Sequence, residues 1–219
     1  MAPDKRIVVI NPNSNQAVTD GMAEALKPLS ISGGPEIECF TLVEGPFGIE
    51  SQEEADAVVL PLRNCVLNIE NADAFVIACY SDPGLDVCRK ATKMPVFGIQ
   101  ESSVLTALSY GKSFGVIAIT DGSIKRHLGY LRQMGVLERL ARERSAGLSV
   151  EESATGQRAY DRLCEVGIQL RDLDGAGTII LGCAGMAIHR IGLGKFLGIP
   201  VIDPVQAATS MAIEALLLR

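Results

Sequence analysis

The segment ADAFVIACYSDPGLDVCRKATKMPVFGIQESS, residues 72–103, is repeated in altered form as GAGTIILGCAGMAIHRIGLGKFLGIPVIDPVQAA, residues 175–208. Each copy begins with an apolar run that ends in a cysteine, Cys79 in the first and Cys183 in the second. A proline follows the cysteine after 16 residues in the first copy and after 17 in the second, beside another short apolar run. The shared order indicates an internal duplication.

The duplication extends towards the N-terminus of each copy, where RIVVINPNSN (6–15) is matched by FGVIAITDGS (114–123). Eight runs of this kind are rich in β-branched residues, which favour strands. They are almost continuously apolar rather than alternating, a pattern typical of parallel strands covered on both faces. The predicted strands are residues 5–11, 36–42, 74–79, 95–99, 113–119, 145–150, 177–182 and 199–203.

Helical patterns separate these runs. The stretch 51–70 opens with Ser51 and Glu54, which have the spacing of a capping box, and the stretch 155–173 is its counterpart in the second half. Strand, helix and strand joined by right-handed crossovers produce parallel sheets. The sequence therefore predicts an α/β fold of two pseudo-symmetric lobes, each a four-stranded parallel sheet flanked by helices, with the active site in the cleft between them.

The predicted lobes have an uneven boundary. We expect the first lobe to contain residues 1–103 together with 205–219, and the second lobe to contain residues 104–204. The final helix, after Asp203, then packs back onto the first lobe. No linker rich in Pro, Gly or Ser separates the halves, so we expect them to be tightly joined.

The composition restricts the class of partner. The 219 residues carry a net charge of −6, which argues against neutralising nucleic-acid phosphates, and the basic run at 142–145 is interpreted as a solvated helix end. No apolar stretch approaches the roughly 18 residues of a transmembrane helix, and the N-terminal IVVI is too short for a signal-peptide core. We expect a cytoplasmic homo-oligomer with a small-molecule substrate and no nucleic-acid or membrane partner.

The cysteines and histidines do not form a metal-binding pattern. No CxxC occurs, and His127 and His189 lie far apart in sequence, so we predict no zinc site. Without a secretory signal the six thiols are expected to be reduced. Four of them are interpreted as packing residues, because small buried thiols are common in protein cores: Cys39, Cys65, Cys88 and Cys164.

The remaining two cysteines follow strands, at the edge where open α/β sheets bind ligands. Cys79 and Cys183 are each predicted to precede a helix directly, with Asp82 as the N-cap and Pro83 as the first helical residue after Cys79. Free N–H groups at a helix N-terminus favour a thiolate and also stabilise an oxyanion. We therefore predict a lowered pKa for both thiols.

Two thiols on opposite sides of one ligand suit racemisation. One thiolate removes a proton from a carbon acid, and the other thiol returns a proton to the opposite face. This reaction needs an anion-stabilising site for the enolate, and we expect no cofactor and no metal.

These residues resemble the aspartate/glutamate/hydantoin racemase superfamily, and within it the hydantoin racemases. The resemblance rests on INPNSN (10–15), GPFGIES (45–51), ACYSDPGLD (78–86), GI (98–99) and LGCAGMA (181–187), which span nearly the whole chain. The resemblance implies a pseudo-symmetric two-lobe fold, no cofactor, and Cys79 and Cys183 as the acid/base pair. It favours a racemase of 5-substituted hydantoins, with allantoin a natural member of that class.

Other enzymes of the superfamily remain alternatives. Glutamate racemases have a DSG opening and a cysteine followed by Thr-His, where this chain has NPNS and Cys183-Ala184-Gly185. Arylmalonate decarboxylases lack the first cysteine, and maleate isomerases use one cysteine as a nucleophile. An amino-acid racemase or a decarboxylase-like or isomerase-like enzyme on this scaffold is therefore the second hypothesis. A non-catalytic two-lobed binding protein is the third, from a different class.

Several residues near the strand ends are candidate substrate ligands, with helix capping as the alternative role for those that follow the first strand of each lobe. His189 is interpreted as a surface helix residue and Asp203 as an N-cap. The candidates are Asn13, Ser14, Thr120 and Asp121 for ring carbonyl or imide groups, Tyr80, Ser81 and Ala184 for backbone donors to the oxyanion, Gly185 for close backbone approach, and Phe47 and Ile49 for the 5-substituent.

Overall fold

The computed structural model describes residues 5–154 and 156–218. Residues 1–4, Thr155 and Arg219, which the predicted lobes and the second predicted helix include, lie outside the described residues. The strands are β1 (Arg6–Asn11), β2 (Glu36–Thr41), β3 (Ala74–Ile77), β4 (Val96–Gly98), β5 (Phe114–Ala118), β6 (Leu140–Ser145), β7 (Thr178–Gly182) and β8 (Val201–Ile202).

The helices lie between the strands, and the duplicated sequence segments contain equivalent ones. None of the described helices has the length and apolarity to span a bilayer. The helices are α1 (Gln16–Leu26), α2 (Gln52–Ala57), α3 (Val59–Asn68), α4 (Leu85–Ala91), α5 (Ile99–Ser109), α6 (Asp121–Gln133), α7 (Val150–Ser153), α8 (Gln157–Asp172), α9 (Arg190–Leu197) and α10 (Pro204–Leu217).

The strands form two four-stranded sheets with the same order. One sheet runs β2-β1-β3-β4 and the other runs β6-β5-β7-β8, and every described pair is parallel. The central strands β3, β5 and β7 are buried along their whole length, because helices cover both faces of a parallel sheet. The predicted α/β fold with two equivalent sheets is confirmed.

One predicted strand is displaced. Residues 145–150 were expected to form the strand that β6 forms at Leu140–Ser145, so the basic run 142–145 is strand and not a helix end. β6 is an edge strand with mixed exposure: Arg142 is exposed, whereas Glu143 is buried. Arg144 forms an ion pair with Asp174, Nε to Oδ2 at 2.6 Å. Because its side chains are mostly polar, this strand lacks the apolar run that predicted the other strands.

The core is continuous between the two halves of the chain. One large cluster of buried apolar side chains includes residues of β1, β3, β5 and β7, and a smaller one lies beneath α2, α3 and α4. Helix α10 contacts α5, β3 and β4, and Gln206 Nε2 donates to the Ala25 carbonyl at 2.6 Å. The last helix therefore packs on elements from the first half of the chain.

Polar contacts also join the halves near the carboxyl ends of the strands. Glu50 Oε1 accepts from the backbone N–H of Val150 at 2.9 Å, and the Glu50 carbonyl accepts from Arg126 Nη1 at 3.2 Å. Glu50 comes directly before the predicted capping box of α2, which is present: Ser51 Oγ accepts from Glu54 N, and the Glu54 carboxylate accepts from Ser51 N. The capped helix thus holds Glu50 against the second half.

Candidate active site

A cavity lies at the carboxyl ends of the strands. Residues from both halves of the chain line it, and the two cysteines that the sequence singles out are among them. Its lining consists of Asn13, Val18, Ile49, Ala78, Cys79, Tyr80, Ser81, Ile119, Ser123, Arg126, His127, Val150, Gly182, Cys183 and Ala184. The two halves therefore contribute equivalent thiols to one cavity.

Cys79 lies in a tight turn two residues after β3. Its carbonyl accepts from Ser81 N at 2.8 Å and from Asp82 N at 3.0 Å. The following helix, α4, begins only at Leu85, after Gly84 with φ +68°. The expectation that Cys79 directly precedes a helix is wrong, because the turn separates them.

Cys183 has the predicted placement. It is the N-cap residue of the 3-10 turn Ala184–His189, which follows β7 directly. The Gly185 backbone N–H hydrogen-bonds the thiol and lowers its pKa, and Ser153 Oγ lies 3.8 Å from Sγ. The sulfur therefore faces a backbone donor and a hydroxyl donor, both of which stabilise a thiolate.

Burial nevertheless determines the acidity of both thiols. Desolvation raises the pKa of Cys183 above the ordinary thiol value, despite the Gly185 and Ser153 donors. The pKa of Cys79 is also raised, first by burial and then by the charges of Cys183 and Asp82, while Arg126 and Ser81 lower it. The predicted lowering of both pKa values is wrong, because the loss of hydration outweighs the few local donors.

Asp82 caps a different helix from the one predicted. Its carboxylate accepts from Gln100 N at 2.9 Å and Glu101 N at 2.8 Å, in the first turn of α5. Its own backbone has φ +45°, a conformation that asparagine and aspartate tolerate better than most residues. The sequence could not reveal this role, because the partner N–H groups lie 18 and 19 residues away.

The loop after β1 is organised by three asparagines. The fully buried Asn11 donates from Nδ2 to Asn13 Oδ1 at 3.0 Å, and Asn15 N donates to the same oxygen at 3.0 Å. Asn15, not Asn13 or Ser14, caps α1 through its side chain. The Asn13 amide is thereby held at the cavity wall, with Nδ2 unpartnered among the described residues.

Helix α6 supplies a wall of the cavity that the sequence interpretation missed. Ser123, Arg126 and His127 all line the cavity, and their i, i+3, i+4 spacing places them on one helical face. The available signal was this polar face directly after β5, at the position equivalent to α1 in the first half. Arg126 is the one cationic side chain in the described lining.

His127 forms a buried pair with Glu143. Its Nδ1 lies 2.5 Å from Glu143 Oε1, and both side chains are almost completely buried. The Tyr80 ring meets the imidazole edge to face, with ring centroids 4.8 Å apart. Two parts of the chain therefore fix the orientation of a histidine at the cavity wall.

The candidate substrate ligands divide into two groups. Asn13, Ile49, Tyr80, Ser81 and Ala184 line the cavity. Five candidates lie outside the described lining. Asp121 is exposed and accepts from Ser145 Oγ, and Phe47 is 58% exposed. The Gly185 N–H faces Cys183. The two others outside the lining are Ser14, whose N–H donates to the Pro46 carbonyl, and Thr120, at the N-cap of α6.

Asp203 and His189 are both buried. Asp203 is an N-cap as predicted, because its side chain accepts from Val205 N at 2.9 Å. His189 is not a surface residue: it is 7% exposed and its Nε2 lies 3.2 Å from the Ser153 carbonyl. Among the described residues, no group of three or more His, Cys, Asp or Glu side chains is arranged to hold a metal ion.

Comparison with known proteins assigns the family. The family model described as Asp/Glu/Hydantoin racemase matches residues 7–212. A hydantoin racemase of Paenarthrobacter aurescens is 35% identical over 212 residues, which cover 94% of this chain and 89% of that protein.

Solved structures agree with this assignment. An allantoin racemase from Klebsiella pneumoniae superposes with a TM-score of 0.93 at 28% identity, covering 98% of this chain and 89% of that one. An allantoin racemase from Pseudomonas fluorescens has a TM-score of 0.89 at 27% identity, covering 97% and 91%. The chain belongs to the Asp/Glu/hydantoin racemase family and is an isomerase of the racemase type.

Proposed function

We propose that this chain is a cofactor-independent racemase of 5-substituted hydantoins, allantoin among them, in which Cys79 and Cys183 exchange the C5 proton from opposite faces of the ring. The observation that carries the proposal is that both thiols line one cavity, each within two residues of the end of an equivalent strand, β3 and β7. The names of the related hydantoin and allantoin racemases support the substrate class.

The chemistry follows from the position of C5 beside a ring carbonyl. A thiolate removes the C5 proton, the C–H electron pair moves into the carbonyl to form an enolate, and the opposite thiol donates its proton to C5. Donors that stabilise the enolate oxygen lower the barrier most, because the negative charge develops there. The Asn13 amide and the backbone N–H groups of Tyr80, Ser81 and Ala184 are the proposed donors.

The electrostatics of the two thiols suit a pair that holds one proton. A Cys183 thiolate raises the pKa of Cys79, so ionisation of one sulfur keeps the other protonated. A racemase needs this state in either direction, because each enantiomer requires one thiolate and one thiol on opposite faces.

The lining argues against free amino acids as substrates. Among the described residues the cavity wall contains no carboxylate side chain to pair with an ammonium group, and an unpaired buried charge is costly. Malonates carry two carboxylates, whereas Arg126 is the one cation in the described lining. A neutral ring between Ile49, Ile119 and Val150 fits this wall better.

The proposal places the ring between two lobes, residues 1–103 with 205–219 and residues 104–204. Contacts of α10 with α5, β3 and β4 support counting the last helix with the first lobe. Hydrogen bonds from Val150 and Arg126 to Glu50 support a closed arrangement at the mouth.

The test is polarimetry of pure enantiomers of a hydantoin panel that includes allantoin, with L-aspartate, L-glutamate and phenylmalonate as competing substrates. We expect optical rotation to decay for hydantoins alone, and mass spectrometry in heavy water to show one solvent deuterium at C5. Racemisation of an amino acid, or decarboxylation of phenylmalonate, without activity on any hydantoin refutes the proposal. Binding of a hydantoin without deuterium uptake favours the non-catalytic binding protein.

A further inference from the structure

The buried pair of His127 and Glu143 has no role in the exchange of protons between two thiols. Glu143 extends inward from the edge strand β6, and its side chain is 1% exposed. His127 lies on α6, on the helical face that lines the cavity. A buried carboxylate and a buried imidazole beside a ligand cavity therefore require a function of their own.

The imidazole is held in place by contacts at Nδ1 and on the ring. Nδ1 contacts Glu143 Oε1 at 2.5 Å, and the Tyr80 ring packs edge to face against the imidazole. The backbone carbonyl of His127 accepts from Gln100 Nε2 at 3.3 Å, which ties this turn of α6 to α5. Nε2, on the opposite edge of the ring from Nδ1, has no hydrogen-bond partner among the described residues.

The charge balance of the His127–Glu143 pair determines whether Nε2 is a hydrogen-bond donor. Glu143 forms no ion pair with a lysine or arginine among the described residues, and its Oε2 has no hydrogen-bond partner there. An uncompensated buried carboxylate is strongly destabilising, so we take the pair of Glu143 and His127 to be neutral as a whole. In a neutral pair one proton lies between Oε1 and Nδ1, and on whichever of these two atoms it resides, Nε2–H is a donor.

We propose that His127, held and charge-balanced by Glu143, donates a hydrogen bond from Nε2 to the ring carbonyl oxygen beside C5. The inference rests on the proposed racemase function. When a thiolate takes the C5 proton, the electron pair of the C–H bond moves to this oxygen, and the proton of Nε2 stays on the imidazole throughout. His127 thereby stabilises the enolate, and Glu143 is the positioning residue behind it.

Kinetics of matched variants test the donor. His127→Phe fills the space without a donor and should lower kcat about 10²–10³-fold, the loss typical of one oxyanion donor. KM should change much less, because the hydrogen bond strengthens as charge develops. His127→Gln keeps an N–H group and should retain part of the lost rate. Lys125→Gln, at an exposed position on the same helix, should leave the rate unchanged. A near wild-type kcat for His127→Phe overturns the proposal.

Spectroscopy of the intact protein tests the contact without turnover or loss of folding. The chain contains two histidines, so ¹⁵N-histidine labelling and the variant His189→Gln assign the His127 nitrogens. The probe is 5,5-dimethylhydantoin, which carries the ring but no C5 proton. We expect Nε2 to be protonated, its resonance to shift on saturation, and Glu143→Gln, which removes the carboxylate, to lower kcat more than it changes KM.

The outcomes separate the two proposals. An enzyme that racemises hydantoins and binds the probe with no change at Nε2 retains the proposed function and loses the His127 role. An enzyme whose Nε2 shifts with the probe but that racemises no hydantoin retains the contact and loses the racemase proposal.

Discussion

The carboxylate of Asp82 occupies the space in which a Cβ atom on Gly98 would lie, since such an atom would be 2.3 Å from Oδ2. From this position Asp82 accepts from the first N–H groups of α5, to which Gly98 is the N-cap residue. The equivalent helix of the second half, α10, is capped by Asp203 from the N-cap position itself. In the first half the cap thus comes from the turn that carries Cys79.

Removal of this cap should destabilise the protein and impair the site together. Asp82→Ala leaves two N–H groups of α5, one buried and one half-buried, without partners, which should cost about 1–3 kcal/mol of unfolding free energy. The turn after Cys79 also loses its anchor, so kcat should fall as well. Urea denaturation and the racemisation assay measure the two effects.

Rescue distinguishes a helix cap from general packing. Gly98 has extended backbone, φ −94° and ψ 142°, which an aspartate adopts readily. The double variant Asp82→Ala with Gly98→Asp should recover most of the lost stability, while Gly98→Asp alone should be destabilising because two carboxylates would compete for one space. A double variant no more stable than Asp82→Ala contradicts the capping role.

The same carboxylate should make stability depend on pH. Burial raises the pKa of Asp82 to about 7, against the lowering effect of the two backbone N–H groups. The pKa of an aspartate in the unfolded chain is about 3.9. Between the two pKa values the native state therefore holds a proton that the unfolded state has lost. The Asp82 contribution is therefore greatest below about pH 4 and declines as the pH rises to about 7.

Paired denaturation series check this sign. The unfolding free energy of wild type minus that of Asp82→Asn should fall between about pH 4 and pH 7. Asp203 behaves similarly, with its pKa raised by burial to about 6, but it contributes equally to both proteins and cancels. A difference that is flat with pH, or that grows, contradicts the assignment.

Single thiol variants should separate proton exchange from inversion. Cys79→Ser and Cys183→Ser should each abolish racemisation, because the serine hydroxyl is far less acidic than a thiol. The surviving thiol can still remove and return a proton on its own face, so each variant should exchange C5–H for deuterium in one enantiomer without inverting it. Proton NMR of each enantiomer in heavy water should show that the two variants select opposite enantiomers. If both exchange the same enantiomer, the two-base mechanism is wrong.

Arg126 should set the pH range in which the ascending limb of the pH–rate profile lies. Because burial raises the pKa of Cys79 and Cys183, kcat/KM should increase with pH above neutrality as thiolate forms. Arg126 lowers the pKa of Cys79, so Arg126→Met should move this limb to higher pH. Arg126→Lys, which keeps the charge, should move it less. Superimposable profiles for wild type and Arg126→Met mean that Arg126 does not act on the reacting thiol.

Sequence patterns of short range predicted the fold. Local patterns predicted the apolar runs of β1, β3, β5 and β7 and the capping box at Ser51, because strand burial and helix capping depend on neighbouring residues. Comparison of the two halves of the sequence revealed the duplication. The predicted start of the edge strand β6, residue 145, lies five residues after its observed start, residue 140. Its last four side chains are polar, which suits an edge strand and gives no apolar pattern.

The placement of Cys79 and Cys183 was also predictable from the sequence, because the repeat places each one beyond the end of an equivalent strand. The tertiary structure alone decided the surroundings of those thiols: their raised pKa values, the cap that Asp82 provides for α5, and the pairing of His127 with Glu143. Hydration and charge compensation of a buried group are set by whichever distant segments pack against it. Those neighbours come from other strands and helices, so only the folded chain specifies them.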